Sequence, residues 1–196
     1  GPLLGPMVMA AVILDKRAST KLKRLGVDDS KRWTGEDAHE ERSRMAALVR
    51  EHASYFAVAN IDVRTVDEWT SRGGLNRLEQ TVAERMIVTA PAAERIVCDG
   101  KRLFSPLCAR FAHLLAEDGA DARHTAVAAA SLLAKTRRDE LWRLIAARYR
   151  HELGDLCDHG GGYVNAATRA FVRAYVQRHG RMPPEARRSW PWDFVA

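Results

Sequence analysis

Residues 120–139 carry two acidic side chains in a setting suited to metal chemistry. Asp121 follows a short apolar approach, and Asp139 lies in the Ala-rich stretch that comes after it. A carboxylate held at the end of an element by a closely packed helix is what a metal site requires of its scaffold. Taken alone, the pattern favours a simpler interpretation, because Ala-rich helices are commonly packing devices.

Strands that alternate with helices would have to position these side chains. The apolar run 7–14 predicts a buried strand, the aromatic and β-branched stretch 54–63 predicts a second, and a short third one, 96–98, ends at Asp99. Helices are predicted from a start at 34–37 to about 51, from Asn76, from 125 to about 149 and over 165–178, and the ambiguous stretch 111–115 is interpreted as a short helix. This alternation predicts an α/β fold around one mixed sheet, with a helical C-terminal subdomain after Gly154.

Composition limits the class of protein. The 196 residues fit one domain, and 46% hydrophobic with 29% charged residues is typical of a globular chain. No apolar run approaches the roughly 18 residues of a membrane span, and no secretory signal is recognisable. Three cysteines without metal-ligand spacing predict reduced thiols in a cytoplasmic protein, and the absence of a His-x-x-x-His pair disfavours zinc.

The charge balance favours a polyanionic partner. The net charge is +6 and the isoelectric point is near 9.5. Phosphate contacts supply most of the non-specific affinity for nucleic acid, so such a balance suits it. The arginine pairs Arg137-Arg138 and Arg187-Arg188 can equally be interpreted as solvated surface.

Five stretches resemble, in the same order, the type 2 ribonucleases H, that is ribonuclease HII and its archaeal and eukaryotic relatives. Residues 120–139 resemble the family's fourth-acid motif, and Val-Cys-Asp-Gly at 97–100 resembles the strand end that carries its third acid. The other matches are Gly-Pro-Met-Val-Met-Ala-Ala-Val at 5–12, Leu-Gly-Val-Asp-Asp-Ser-Lys at 25–31, and Gly162-Tyr163 with 167–171 and 183–190. Together they cover nearly the whole chain.

The resemblance implies an RNase H-like fold in which four carboxylates hold two Mg²⁺ or Mn²⁺ ions about 4 Å apart. Asp99 matches the third acid and Asp121 the fourth, so both are predicted to be catalytic metal ligands. Asp139 matches an acid with a supporting catalytic role near the metals. Without the flanking motifs, Asp99 would be interpreted as an ordinary turn acid at an Asp-Gly step.

The resemblance also implies a surface for nucleic acid. Asp29, Ser30 and Lys31 match a loop that meets the phosphate backbone, although a plain surface loop before a helix is the alternative. Tyr163 matches a tyrosine that senses the junction between ribose and deoxyribose, where the alternative is a half-buried ring. Gly1 aligns with the last glycine of the family's first motif, whose glycines approach the 2′-OH.

The sequence departs from the family at two places. The Asp-Glu pair of the first motif, which supplies the first two acids, is absent, so the chain is expected to be a truncated and inactive form of an ordinary enzyme. A natural relative that binds nucleic acid without cutting it is the competing explanation. His124-Thr125 stands where the family usually has Tyr-Pro.

The sequence as a whole predicts a ribonuclease H of type 2. Its substrates would be RNA–DNA hybrids and DNA duplexes with embedded ribonucleotides, and its products would carry a 3′-hydroxyl. It is expected to be a cytoplasmic monomer, with a catalytic domain over 1–153 that lacks its first strand, and a helical substrate-binding segment over 154–196. A non-catalytic hybrid-binding module and a scaffold subunit of a larger nuclease are the rival interpretations.

Overall fold

The computed structural model describes residues 1–28 and 38–193. Its strands are β1 (Met7–Ile13), β2 (Tyr55–Ile61), β3 (Ile96–Asp99) and β4 (Leu114–Glu117). Its α-helices are α1 (Lys16–Arg24), α2 (Ala38–His52), α3 (Val63–Thr70), α4 (Leu75–Thr89), α5 (Lys101–Phe104), α6 (Thr125–Leu153) and α7 (Ala166–His179). Short 3-10 helices occupy Ser105–Ala109, Ala120–Ala122 and Gly154–Cys157.

The strands pair in two ladders. β1 pairs with β2, and β3 runs parallel to β4 with Ile96 opposite Leu114 and Asp99 opposite Glu117. The short helix predicted over 111–115 is therefore wrong, because this stretch leads into strand β4. A brief apolar run cannot be distinguished from a helical segment by its periodicity, and here the pairing with β3 decides.

The longer elements agree with the sequence. β1, β2 and β3 coincide with the three predicted strands, and α4, α6 and α7 with three of the predicted helices. The predicted start of the other helix, at 34–37, lies outside the described residues, and α2 is described from Ala38. The basic stretch after β1, for which no element was predicted, forms α1, and Asp15 caps it by accepting a hydrogen bond from the Ala18 N–H at 2.7 Å.

Contacts divide the chain into two compact units. Unit 1 comprises Gly1–Met7, Asn60–Leu75 and Arg137–Ala196, and unit 2 comprises Val8–Ala59 and Asn76–Thr136, so that α6 passes from one into the other. The core of unit 1 is aromatic, with Trp142, Phe171 and Tyr175 packed against Leu3 and Leu4. The predicted boundary at 153/154 separates a catalytic domain from a substrate-binding segment. A division by contacts does not test that difference in function, so the boundary stays a prediction.

Unit 2 contains two apolar clusters. One joins α1, α2 and the first half of α6 through residues such as Leu22, Val49 and Leu133. The other joins β3, β4 and the segment between them through residues such as Phe104 and Leu114. The small side chains Ala128 and Ala129 of α6 are buried in the first cluster, so the Ala-rich stretch does serve packing. None of the helices over the described residues has the length and apolar character needed to span a membrane.

Candidate metal and nucleic-acid site

Two acidic residues end the parallel strands of unit 2 side by side. Asp99 is the last residue of β3, Glu117 is the last residue of β4, and the two are opposite each other in the ladder. Parallel strands present their carboxyl ends at the same edge, so the side chains that follow them converge there. This edge therefore brings Asp99 close to Glu117, an acid that the sequence did not single out.

Asp121 reaches the same edge through a short turn after β4. The backbone N–H of Ala120 donates a hydrogen bond to the Asp99 Oδ1 at 3.1 Å, which places the Asp99 carboxylate against the residue that precedes Asp121. Ala120 itself is fully buried, whereas Asp99 is exposed and Asp121 half-buried. Over the described residues the Asp121 carboxylate has no hydrogen-bond or ion-pair partner, so its oxygens are available to a ligand.

The turn that carries Asp121 is fixed at both ends. Glu117 Oε1 accepts hydrogen bonds from His124 Nε2 at 2.6 Å and from Arg123 Nε at 3.2 Å. The hydrogen bond from Arg123, with that from His124, holds the pKa of the Glu117 carboxyl below its ordinary value. Asp118 Oδ1 accepts from the Lys101 N–H at 2.8 Å, which ties the turn to the start of α5. His124, which departs from the family, thus helps to position the turn.

The donor set fits a hard divalent cation by type. Carboxylate oxygens are the ligands that Mg²⁺ and Mn²⁺ prefer, and Asp99 keeps one oxygen outside its hydrogen bond to Ala120. Two carboxylates are fewer than such an ion requires, and no group of three or more His, Cys, Asp or Glu side chains is arranged for a metal within the described ranges. Asp139 lies on α6 in unit 1, and its supporting role stays a prediction.

Unit 1 brings Tyr163 next to the N-terminal segment. Gly160, Gly161 and Gly162 all have positive φ angles, of 85°, 57° and 75°, and the N–H of Tyr163 closes the turn onto the Gly160 carbonyl at 3.0 Å. The Gly162 carbonyl accepts the N–H groups of Leu3 and Leu4, at 2.7 and 3.1 Å. Gly1 is two residues before Leu3, so two of the residues predicted to contact nucleic acid are held in one part of the fold. The Tyr163 ring is 45% exposed.

Arg138 is a buried cation that the sequence did not single out. It is 4% exposed, and its Nη2 donates to the carbonyls of Leu4 at 2.6 Å and of Gly161 at 2.9 Å. Its guanidinium carbon lies 5.6 Å from the centre of the Tyr163 ring. Burial lowers the pKa of the Arg138 guanidinium below its ordinary value. Arg187 is likewise only 3% exposed, so the solvated-surface interpretation of the two arginine pairs is wrong for one member of each.

Some predicted features lie elsewhere. Asp29, Ser30 and Lys31 fall outside the described residues, so their predicted role is not tested. Cys98 and Cys108 are free thiols. Cys98 lies in β3, and its burial raises the pKa of the thiol to about 11. The thiol is therefore a weak nucleophile at neutral pH.

Solved structures with the same architecture define the class of protein. The crystal structure of the ribonuclease H2 from Pyrococcus horikoshii superposes with a TM-score of 0.78 and 26% identity, over 100% of this chain and 90% of that one. The ribonuclease HII from Archaeoglobus fulgidus, solved in a complex with PCNA, also gives a TM-score of 0.78, with 27% identity over 100% of this chain and 90% of that one. The fold is therefore that of the type 2 ribonucleases H, as the sequence predicts.

Sequence relatives narrow the class to a family. The sequence profile of ribonuclease HII matches residues 1–192. The ribonuclease HII of Methanothermobacter thermautotrophicus is 34% identical over 199 residues, which cover 97% of this chain and 91% of that protein. That of Haloarcula marismortui is 34% identical over 198 residues, covering 97% and 87%. The chain belongs to the ribonuclease HII family, and its class of activity is that of a ribonuclease H.

Proposed function

We propose that this chain is a metal-dependent endoribonuclease that hydrolyses the RNA strand of RNA–DNA hybrids and incises DNA duplexes at embedded ribonucleotides. The observation that supports the proposal is that Asp99 ends β3 and that the N–H of Ala120, the neighbour of Asp121, donates to the Asp99 carboxylate at 3.1 Å. In the reaction a water oxygen forms a bond to phosphorus while the P–O3′ bond breaks. The products are a 3′-hydroxyl and a 5′-phosphate.

Asp99 and Asp121 would hold the divalent ions, either Mg²⁺ or Mn²⁺. The ions supply Lewis acidity for phosphodiester hydrolysis. A solved ribonuclease HIII with the same fold is described in complex with Mn²⁺, at 22% identity and a TM-score of 0.62. The fixed turn from Glu117 to His124 keeps Asp121 in place before a substrate binds, so little reorganisation is needed when the ions enter.

Tyr163 would read the sugar of the substrate. Its ring is exposed and lies against the Arg138 guanidinium, and the Gly160–Gly162 turn fixes its backbone. An aromatic ring can stack on a ribose while its hydroxyl reaches the 2′-OH, the group that separates RNA from DNA. Gly1, held near it through Leu3 and Leu4, would allow a close backbone approach. The substrate-binding role of 154–196 and the supporting role of Asp139 belong to the same proposal.

The test is cleavage of a labelled DNA duplex that carries one ribonucleotide, with Mn²⁺ present. Two forms are assayed, the 196 residues and the same chain preceded by a segment with the Asp-Glu motif, and we expect cleavage from the second. In that form Asp99→Asn and Asp121→Asn should each lower kcat by at least about a hundredfold while hybrid binding persists. Glu94→Gln, an exposed acid of unit 2 outside the site and outside the segment 154–196, is the control. Full activity in Asp99→Asn or Asp121→Asn would exclude the assigned site.

A non-catalytic hybrid-binding relative is the second candidate. The observation that favours it is the lack, over the described residues, of a third acidic group arranged with Asp99 and Asp121. Such a protein would bind hybrids equally well with and without divalent ions. Calorimetry that detects two bound Mn²⁺ ions would exclude it.

We further propose that the protein acts as a monomer in the cytoplasm, where thiols such as Cys98 and Cys108 stay reduced. Size-exclusion chromatography with light scattering tests the first point. An active species with the mass of a dimer or of a larger assembly would contradict it.

A further inference from the structure

Helix α1 carries most of the net positive charge of the chain. Five of its nine residues are basic and none is acidic, and the five are Lys16, Arg17, Lys21, Lys23 and Arg24. The whole chain has 31 basic and 25 acidic residues, so the rest of it keeps 26 basic and 25 acidic ones, a balance of +1. The excess charge is therefore concentrated on one short helix rather than spread over the surface.

This charge is exposed, and no acid among the described residues neutralises it. All five basic side chains are exposed to solvent, and none of them forms an ion pair with another described residue. Asp15, the acid nearest in sequence, uses its Oδ1 to cap the N–H of Ala18. Like charges on one helix repel each other, so an uncompensated cluster of this kind lowers stability and favours an anionic partner.

The opposite face of α1 is fixed in the core. Ala18 and Leu22 are buried, and Leu22 packs in the apolar cluster with Val49 and Leu133. A basic amphipathic helix can also lie on a membrane, but it does so by inserting its apolar face into the lipid. Here that face is already covered by protein, which leaves only the charged face for a partner.

The charged face has the dimensions of a phosphate contact. An open groove of about 690 Å³ is lined by Lys16, Arg17, Thr20, Lys21, Arg24 and the apolar Leu25. Arg17 and Arg24 are seven residues apart, which corresponds to about 10 Å along the helix axis. One strand of a duplex carries a phosphate every 3.4 Å or so along its axis. The row of cations is thus long enough to face more than one phosphate of a strand.

We propose that α1 is a phosphate-backbone contact for the nucleic-acid duplex, separate from the acids that cut it. The inference rests on the proposed function, and it adds where the duplex is held outside the reacting bond. Compact unit 2 contains α1 as well as Asp99 and Asp121. The contact reads charge and not sequence, because Lys and Arg bound to phosphate carry no base information.

The test compares two double variants with equal loss of charge. Arg17→Gln/Arg24→Gln removes two exposed cations, seven residues apart, from α1. Arg77→Gln/Arg85→Gln removes two exposed cations, eight residues apart, from α4 of the same unit, and none of the four arginines has a partner over the described residues. Gln is a good helix former, so both folds should persist, which circular dichroism verifies.

The measurement is the salt dependence of duplex binding by fluorescence anisotropy, with Ca²⁺ in place of Mn²⁺ to prevent cutting. For the α1 variant the slope of log K against log salt should become shallower by about two, and Kd at 0.1 M salt should rise about tenfold or more. The α4 variant should keep the slope of the wild type. Arg17→Lys/Arg24→Lys, which keeps the charges, should bind nearly as the wild type does.

The outcomes separate this inference from the proposed function. An unchanged slope in the α1 variant, with normal cutting by the form that carries the Asp-Glu motif, overturns the role of α1 alone. A wild type that binds no hybrid yet binds poly-glutamate through α1 identifies an acidic protein partner instead, and overturns both. Equal loss of slope in the α1 and α4 variants would mean diffuse attraction and would also overturn the assignment.

Discussion

Arg138 holds two distant parts of unit 1 together. Its Nη2 donates to the carbonyls of Leu4 and Gly161, which are 157 residues apart in sequence, and its guanidinium lies under the Tyr163 ring. A carbonyl shielded from water that loses its donor cannot bond to water instead. Each hydrogen bond from a charged donor therefore contributes about 1.5–3 kcal/mol to the free energy of unfolding. The position of Tyr163 therefore depends on a side chain that need not touch substrate.

We expect Arg138→Met to lower the free energy of unfolding by about 3 kcal/mol, because the buried Leu4 carbonyl and the partly buried Gly161 carbonyl lose their donor. Urea unfolding followed by circular dichroism measures it. The neighbour Arg137 forms an ion pair with Glu140 at 3.0 Å, with the two side chains 35% and 40% exposed. Arg137→Met should therefore cost less than about 1 kcal/mol. Equal losses in the two variants would contradict the assignment to Arg138.

At the scale of the element, the turn Gly160–Tyr163 depends on backbone conformations that side chains rarely adopt. A Cβ on Gly162 would lie 2.8 Å from Arg138 Nη2 and 2.9 Å from the Leu4 carbonyl oxygen. The turn can approach the N-terminal segment only because this position has no side chain. The same approach gives Leu3 and Leu4 their hydrogen bonds to Gly162.

Gly162→Ala and Gly73→Ala separate backbone strain from steric clash. The two glycines have φ angles of 75° and 69°, but a Cβ on Gly73 would meet nothing within 4 Å. Both variants should lose about 1–2 kcal/mol for the left-handed conformation, and Gly162→Ala should lose about 1–3 kcal/mol more through overpacking. Thermal melts of both variants measure the difference. If Gly73→Ala proves as destabilising as Gly162→Ala, the turn does not contact the N-terminal segment as described.

Elements of different length were predicted with different success. The helix α6 is 29 residues long and rich in Ala, Leu and Arg, which favour helices, and β1 is a continuous apolar run, so local sequence suffices for both. β4 is only four residues long, and its pairing with β3 is a contact between segments far apart in the chain. α1 was not predicted because its nine residues contain few apolar positions from which to infer a period.

At the scale of the whole molecule, metal binding should appear as stability. An ion that binds only the folded chain stabilises it by RT ln(1 + [L]/Kd), which is about 2.7 kcal/mol at a concentration 100 times Kd. In the form that carries the Asp-Glu motif, we expect Mn²⁺ to raise the melting temperature by several degrees, and EDTA to reverse the change. In that form the double variant Asp99→Asn/Asp121→Asn should lose the shift, because it lacks both ligands, and Glu94→Gln should keep it. A shift that persists in the double variant would place the metal elsewhere.

The sequence by itself was enough for the fold class and for the family, because five motifs in order identify a type 2 ribonuclease H and the comparisons agree. It also predicted that the cysteines are reduced thiols, and its motifs named Asp99 and Asp121 as candidate metal ligands. It was not enough for the burial of Arg138 and Arg187, since a charged residue is seldom buried and nothing in an Arg-Arg pair says which member faces inward.

Only the tertiary structure decided which distant groups meet. Asp99 is bonded to the neighbour of Asp121 because β3 and β4 run parallel and the turn after β4, through its buried Ala120, folds back onto Asp99. Tyr163 lies by the N-terminal segment because three glycines and Arg138 hold it there. The physical reason is that a motif records local backbone and side-chain preferences, whereas a site depends on pairing and burial between segments far apart in the chain.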